Sequence, residues 1–416
     1  MLEHLNLPLT GIRLFIGPII APRDVKVRLT DYLNPGIGGS EFYFMRLAHE
    51  LSRQGAHVTL VCSGSKVSLE NPNIEVVGKM PEFATLNSAR AILISSTYAY
   101  RRFLHPAAPG IPLILVSHHP HDGDLASILK VRKDFLLVNL GEYQYLSNKL
   151  KSVPSVILPV LTPPPSFRPV EPVPSGIVGH LSSLVPSKGF HHLARAWGSI
   201  SRSNPHSRLE VVGGSSLYGF PEDHPRLPTS LRYGNRIEEL LDNGGNSKSV
   251  KFFGVISGSI ENRVGNWTLT VLNPAGIAEA DPSSVKDCMR QGVPVVGAFD
   301  YGLRSYLRKF PELQIKSPRN TARVVNHLLS RPLLITQLSE RIKSFYLGLF
   351  DRNSSIVDNW TEILLGVSSS QSFDSVAEKV MTRYVWEEQM LFKIRIIVRK
   401  RVIYPLLQLM NYLRRI

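Results

Sequence analysis

Two successive runs of one alternation constrain the fold of this chain more than any other feature. Short, β-branched apolar stretches recur, with helix-patterned stretches between them. Ile12–Ile16, His57–Cys62, Asn73–Val77, Ala91–Ser95, Pro112–Ser117 and Phe135–Leu140 read as strands. Between the first two, Glu41–Gln54 places Phe44, Met45, Leu47, Ala48 and Leu51 at helical spacing. Strands joined through helices run parallel, because each crossover returns the chain to the same end of the sheet. A second series follows, with strands at Gly176–Leu181, Arg208–Val212, Val250–Phe253, Leu269–Asn273 and Pro294–Gly297. Its helices are expected at Gly189–Ser201, Ile237–Leu241, Ser283–Gln291 and Thr321–Leu329.

Seven prolines between Pro159 and Pro174 separate the two series. Proline at that density continues neither a helix nor an inner strand, so the segment reads as a stiff connection. The chain has 416 residues, too many for one ordinary core. The expected fold class is therefore α/β, with two doubly wound, Rossmann-like domains facing across a cleft. The expected boundaries are 1–160 for the first domain, 161–175 for the linker and 176–350 for the second domain. A crossing helix and polar break over 351–374 and a basic tail over 375–416 would complete the chain. In such sheets ligands bind beyond the carboxyl ends of the strands, where loops lead into helices.

The formal net charge is +15, and seven of the basic residues lie in Leu391–Ile416, which has no acid. Over Tyr384–Ile416 they are mixed with apolar residues. A basic amphipathic helix lying in an anionic membrane surface fits that pattern. So does a helix packed on the first domain. No stretch reaches the length of a spanning segment, and Met1–Thr10 has no secretory pattern. The expected location is cytoplasmic, with membrane association on the cytoplasmic face if the tail binds lipid. The basic residues are not interleaved with aromatics in a nucleic-acid-binding pattern, so no nucleic-acid partner is expected. Cys62 and Cys288 match no metal spacing and read as reduced core residues.

The stretch from Asn273 to Val296 carries the chemistry. A strand ends near Asn273, and a loop carries Glu279. Asp281 and Pro282 read as the N-cap and first position of a helix that runs to Gly292. Open amides of Ser283, Ser284 and Val285 suit an anion. Asp287 lies one turn further in. Two acids eight residues apart could frame one extended ligand, Glu279 at sugar hydroxyls and Asp287 at a ribose. An ordinary capped helix with a solvated acid fits the spacing as well.

This stretch resembles the E-G-F-G-x-x-x-x-E-A-M-x-x-G-x-P-V-V signature of retaining GT-B glycosyltransferases, the family with the E-x7-E motif. Glu279, Met289, Gly292, Pro294, Val295 and Val296 match it. Asp287 takes the second acid's place, one methylene shorter, and Asp281-Pro282 replaces Phe-Gly. The resemblance implies that Glu279 contacts the donor sugar and Asp287 the ribose. Gly176–Phe190 resembles the family's V-G-R-L-x-x-x-K-G loop, in which Arg and Lys neutralise the leaving diphosphate. Lys188 matches the Lys, whereas His180 replaces the Arg and the loop is about two residues longer. Gly38-Gly39-Ser40-Glu41 with Gly55-Ala-His57 resembles the G-G-x-E loop and its sequel. There the two glycines let backbone approach the ligands closely. His118, after the strand ending at Ser117, stands where family members often place a histidine near sugar and acceptor. Val250–Gly254 resembles V-x-F-x-G, which implies base contacts at Val255 and Ile256. Gly36-x-Gly38 lacks the third glycine of a dinucleotide site, and Asp122-x-Asp124 sits outside the fold that uses such a triplet for metal.

The resemblance covers roughly residues 10–366. It implies a metal-independent retaining hexosyltransferase that needs no cofactor, the nucleotide sugar being a substrate. Its partners would be a nucleotide-diphosphate sugar and a hydroxyl acceptor on a glycan, a lipid or a small molecule. The substitutions at His180 and Asp287 also fit a degenerate relative acting as a binding or assembly subunit. A sugar-nucleotide epimerase of the same fold is the third reading.

Overall fold

The computed structural model describes residues 8–21, 25–27, 37–64, 67–69, 71, 73–79, 91–103, 110–119, 123–148, 153–167, 176–245, 247–256, 260–276 and 279–381. The basic stretch 384–416, Gly36, Asp122 and the linker beyond Phe167 lie outside them.

The first series builds a parallel sheet from β1 (Arg13–Ala21), β3 (His57–Gly64), β5 (Ile74–Val77), β6 (Ala91–Ser96), β7 (Leu113–Ser117), β8 (Leu136–Asn139) and β9 (Ser155–Ile157). The remaining strands of this half, β2 (Val25–Val27) and β4 (Val67–Leu69), pair only with each other. The main sheet order is β5-β3-β1-β6-β7-β8-β9, so the order reverses between β1 and β6. Its strands read as continuous apolar runs because both faces are covered. On β1, Leu14 and Ile16 point to the face under helix Gly39–Arg53, and Phe15 points to the opposite cluster. On β7, Ile114 and Val116 separate from Leu113 and Leu115 in the same way.

The second sheet contains β10 (Ile177–Leu181), β11 (Arg208–Val212), β12 (Val250–Phe252), β13 (Leu269–Leu272), β14 (Val295–Ala298) and β15 (Gln314–Ile315). Its order is β12-β11-β10-β13-β14-β15, all parallel, with the reversal between β10 and β13. Gly179 on β10 has a steric reason: a Cβ there would lie 2.0 Å from the Trp267 ring. Helix Pro332–Asp351 packs Ile335, Leu338, Ile342 and Tyr346 onto this second core. The chain then crosses back. Helices Asn353–Ser368 and Phe373–Met381 bury Trp360, Ile363, Leu364, Val376 and Val380 in the first core.

The described part of the linker is held group by group. Val160 N–H donates to Asp281 Oδ2 (2.7 Å), and the Lys286 ammonium donates to Val160 O. Arg46 Nη1 donates to Leu161 O, and Asn353 bonds both N–H and C=O of Thr162. The Tyr346 hydroxyl donates to Pro163 O and Arg290 Nε to Pro164 O. Proline supplies no donor, so this segment's carbonyls need side-chain partners from both domains. Among the described residues no helix is long and apolar enough to cross a membrane.

Candidate functional site

The polar residues gather at the carboxyl ends of β10 and β13, where the second sheet reverses its order. β10 leads into a 3-10 turn, Pro186–Lys188, closed by Gly189 at φ 72°. A Cβ at Gly189 would approach Asn273 Oδ1 to 3.1 Å, so glycine lets the two loops meet. Lys188 Nζ lies 3.0 Å from each carboxylate oxygen of Glu279, and both side chains are about nine-tenths buried. Asn273 Nδ2 donates to Glu279 Oε1 at 3.0 Å. Asn273 holds φ at +37°, a conformation that asparagine tolerates better than most residues. Burial alone would lower the Lys188 pKa. The charge of Glu279 and the hydroxyl of Tyr218 outweigh it and hold the group above the ordinary lysine value. The cation is therefore fixed at neutral pH.

The helix after Glu279 begins at Ser283, with Pro282 rather than Asp281 at its N-cap and no side-chain cap. The capping role expected of Asp281 is not the one it has. Its Oδ2 accepts from Lys286 Nζ (2.9 Å) and from Val160 N–H (2.7 Å), while Oδ1 accepts from the Tyr306 hydroxyl. A carboxylate with three donors available is better satisfied there than by one helix amide. Of the three expected amides, Val285 N–H bonds Pro282 O at 3.2 Å. Ser283 and Ser284 remain at the helix start. Asp287 is half-exposed. Burial, partly offset by Arg290 and Arg46, raises its carboxyl to about 6. Val255 and Ile256 are half-exposed beyond β12, and Val255 lies beside Gly214.

The first domain closes on this site. A Cβ at Gly39 would come within 3.0 Å of Ser283 Oγ, and one at Gly38 would meet Leu217 O at 3.6 Å. The glycine pair therefore touches the second domain from across the cleft. Gly141 does so too, against Ala280 O. The Tyr143 and Tyr301 rings meet with centroids 4.5 Å apart, tilted by 55°. A separate cavity of about 280 Å³ lies by the linker, lined by Arg46, Glu50, Leu161, Phe350 and Asn353 among others, and none of the candidate site residues lines it.

Two histidines stand differently from expectation. His180 has no exposed surface. Its ring packs on Phe190 at 4.9 Å, and Nδ1 donates to Val271 O at 2.8 Å. A carbonyl only accepts, so Nδ1 carries the hydrogen and Nε2 the lone pair. Burial pushes the pKa down to about 4, against the pull of the Val271 carbonyl. His180 is thus a neutral core residue and no stand-in for an arginine cation. His118 is 8% exposed, its ring edge-on to Tyr43 and Phe44, and burial lowers its pKa to about 3. Among the described residues of that loop, the half-exposed imidazole is His119, with its ring 6.2 Å from Tyr98.

Placement of His180 gives a first expected result. His180→Arg should destabilise the protein by about 3 kcal/mol, because a guanidinium would be buried where only one carbonyl faces it. Urea denaturation measures this. A His180→Arg variant with wild-type stability and faster turnover would mean that the side chain reaches the cleft.

No protein-family model and no curated protein matches the sequence. Solved structures do match in fold. Anabaena HepE, in complex with UDP and glucose, superposes with a TM-score of 0.61 at 14% identity, over 85% of this chain and 99% of that one. WaaG, a glycosyltransferase involved in lipopolysaccharide biosynthesis, gives a TM-score of 0.55 at 15% identity over 85% and 100%. S. aureus TarM, in complex with UDP and other ligands, gives 0.55 at 14% identity over 66% and 55%. The fold is GT-B.

Proposed function

We propose that the chain is a glycosyltransferase that moves a sugar from a nucleotide-diphosphate sugar to a hydroxyl acceptor, with retention and without a metal. The observation that carries this reading is the Lys188–Glu279–Asn273 cluster. It lies at the order reversal of the second sheet, with Glu279 four residues before the helix start at Ser283 that faces Gly39 of the first domain. In this reading Glu279 holds donor-sugar hydroxyls and Lys188 meets the charge that grows on the leaving phosphate. Ser283 and Ser284 offer amides to the diphosphate, Asp287 accepts from the ribose, and Val255 and Ile256 flank the base.

The bond from the sugar's anomeric carbon to the phosphate oxygen breaks. The acceptor oxygen bonds to that carbon on the same face, and its proton passes to the departing phosphate. The protein contributes position and fixed charge rather than a covalent intermediate. Neutral His180 makes Lys188 the more important cation. It also favours a second reading, a nucleotide-sugar-binding subunit of low turnover.

A thermal-shift screen of UDP-, GDP- and ADP-sugars tests the proposal. UDP-sugars are the first probes, since HepE and TarM carry UDP in their crystals. A ligand at a hundred times its Kd should add about 2.7 kcal/mol to apparent stability, a clear rise in Tm. Binding with no transfer to any acceptor or to water would select the subunit reading. No binding and no turnover would sink both.

A further inference from the structure

The donor reading leaves one group of cleft residues unused. Glu41 and Tyr98 belong to the first domain, and the Tyr98 hydroxyl donates to Glu41 Oε1 at 2.8 Å. Both are half-exposed, as is His119 beside Tyr98. Across the cleft stands Tyr218, 47% exposed, at the tip of a loop of the second domain. Its ring lies 5.7 Å from Lys188 Nζ, and its proximity helps to hold that ammonium charged. Tyr218 is also near enough to act electrostatically on Tyr98.

The loop that presents Tyr218 is built for its position. Gly213 holds φ at 122°, and a Cβ there would strike Ser182 O at 2.0 Å. Ser215 Oγ donates to Pro221 O, and Ser216 bonds Glu222 through both its amide and its hydroxyl. Thr229 Oγ1 donates to Leu184 O, and Leu231 N–H donates to Asp223. The tip then meets the Gly38 loop through Leu217 O. An exposed tyrosine is thus held beside the lysine of the donor side, on a loop whose neighbouring residue, Leu217, meets Gly38 of the opposite domain.

We propose that Glu41, Tyr98 and Tyr218, with His119 at their edge, form the acceptor subsite, and that the acceptor it takes is a saccharide. The assignment rests on the transferase reading for the word acceptor. The saccharide class comes from the side chains themselves. A sugar ring has an apolar C–H face and a rim of hydroxyls. Two tyrosines offer ring faces with polar tips, and Glu41 offers acceptor lone pairs to a hydroxyl. An acyl chain in the same place would cover these polar groups and leave them without partners, at a cost of kilocalories per group. Position agrees with the chemistry: the Tyr218 ring is 5.7 Å from Lys188 Nζ, the side on which the leaving phosphate would receive the acceptor's proton.

A glycan array probed with the full chain, with and without UDP, tests the proposal alongside UDP calorimetry. The wild type should retain a defined set of saccharides. Glu41→Gln and Tyr98→Phe, which keep volume and so the fold, should each weaken saccharide binding about tenfold, roughly one charge-assisted or neutral hydrogen bond. UDP affinity should move less than about twofold in the same variants, because neither side chain is bonded to Lys188, Glu279 or the helix start at Ser283. Tyr218→Ala, at an exposed ring, should abolish retention on the array. Absence of any retained saccharide under both conditions overturns the proposal, as does equal loss of UDP and saccharide in Glu41→Gln and Tyr98→Phe. Failure of the transferase reading looks different: saccharides would be retained by a wild-type protein that binds no nucleotide or nucleotide sugar.

Discussion

Lys188→Met is expected to lower sugar transfer by about a hundredfold or more in kcat, the loss typical of removing one preorganised group at a developing negative charge. The single variant does not by itself identify a catalytic role. Lys188 and Glu279 form a pair whose side chains are 12% and 9% exposed. Removing the cation leaves a carboxylate with the Asn273 amide but no opposite charge, a change that costs about 3 kcal/mol in comparable buried pairs. A protein weakened by that much could lose activity for structural reasons alone. The double variant Lys188→Met/Glu279→Gln separates the two. It removes both charges together, and the new side-chain amide can still accept from Asn273. Urea denaturation should place its stability within about 1 kcal/mol of the wild type, because coupled sites are not additive. Turnover should stay at or below that of Lys188→Met. If turnover returned with stability, the pair would be structural and the donor assignment would be lost.

The same pair shows what a sequence displays and what it hides. The doubly wound architecture is legible because parallel strands covered on both faces are written as unbroken apolar runs. Ile114 and Leu115 are equally buried although they face opposite clusters. Two edge strands are missed, β9 with three residues beside prolines and β15 with two, whereas the edge strands β5 and β12 are read. Helix Leu231–Asp242 starts well before Ile237 and includes a glycine, Gly234. It is there to make room for the His224 ring, 2.3 Å from where its Cβ would be. Within the site, Glu279 and Lys188 are found from local pattern, since each sits in a loop of recognisable form. Asn273 and Tyr218 are missed. One depends on a positive φ, and the other on a loop that meets the opposite domain. His180 misleads because residue identity gives neither its exposure nor its tautomer. Asp281 misleads in the opposite sense: it reads as a helix cap, yet it turns inward to the linker, as Lys286 and Arg46 do. Only the proline content of that linker hints at carbonyls needing donors.

Asp281→Ala should cost about 3 to 5 kcal/mol, measured by denaturant unfolding, the largest stability effect expected among these residues. The side chains of Asp281 and Lys286 are 6% and 3% exposed. Burial already lowers the Lys286 pKa, and Asp281 is the main group opposing that shift. Without the carboxylate, Lys286 must either lose its proton or stay charged facing a single carbonyl. Val160 N–H and the Tyr306 hydroxyl lose their acceptor at the same time. Lys286→Met should cost less, since Asp281 keeps two donors. The pair Asp281→Asn/Lys286→Met should recover most of the stability, as uncharged replacements of a buried pair commonly do. It should not recover function. Asp281 and Lys286 tie the start of the helix that carries Ser283, Ser284 and Asp287 to Val160, on the segment leaving the first domain. Arg290, one residue past that helix, holds Pro164. The proposed donor site and the joint between domains therefore share one rigid element. A stable double variant with this tie removed should bind UDP about tenfold more weakly by calorimetry, because the helix start is no longer held in one position before the ligand arrives. Unchanged UDP affinity in a stable double variant would show that the tie serves folding alone.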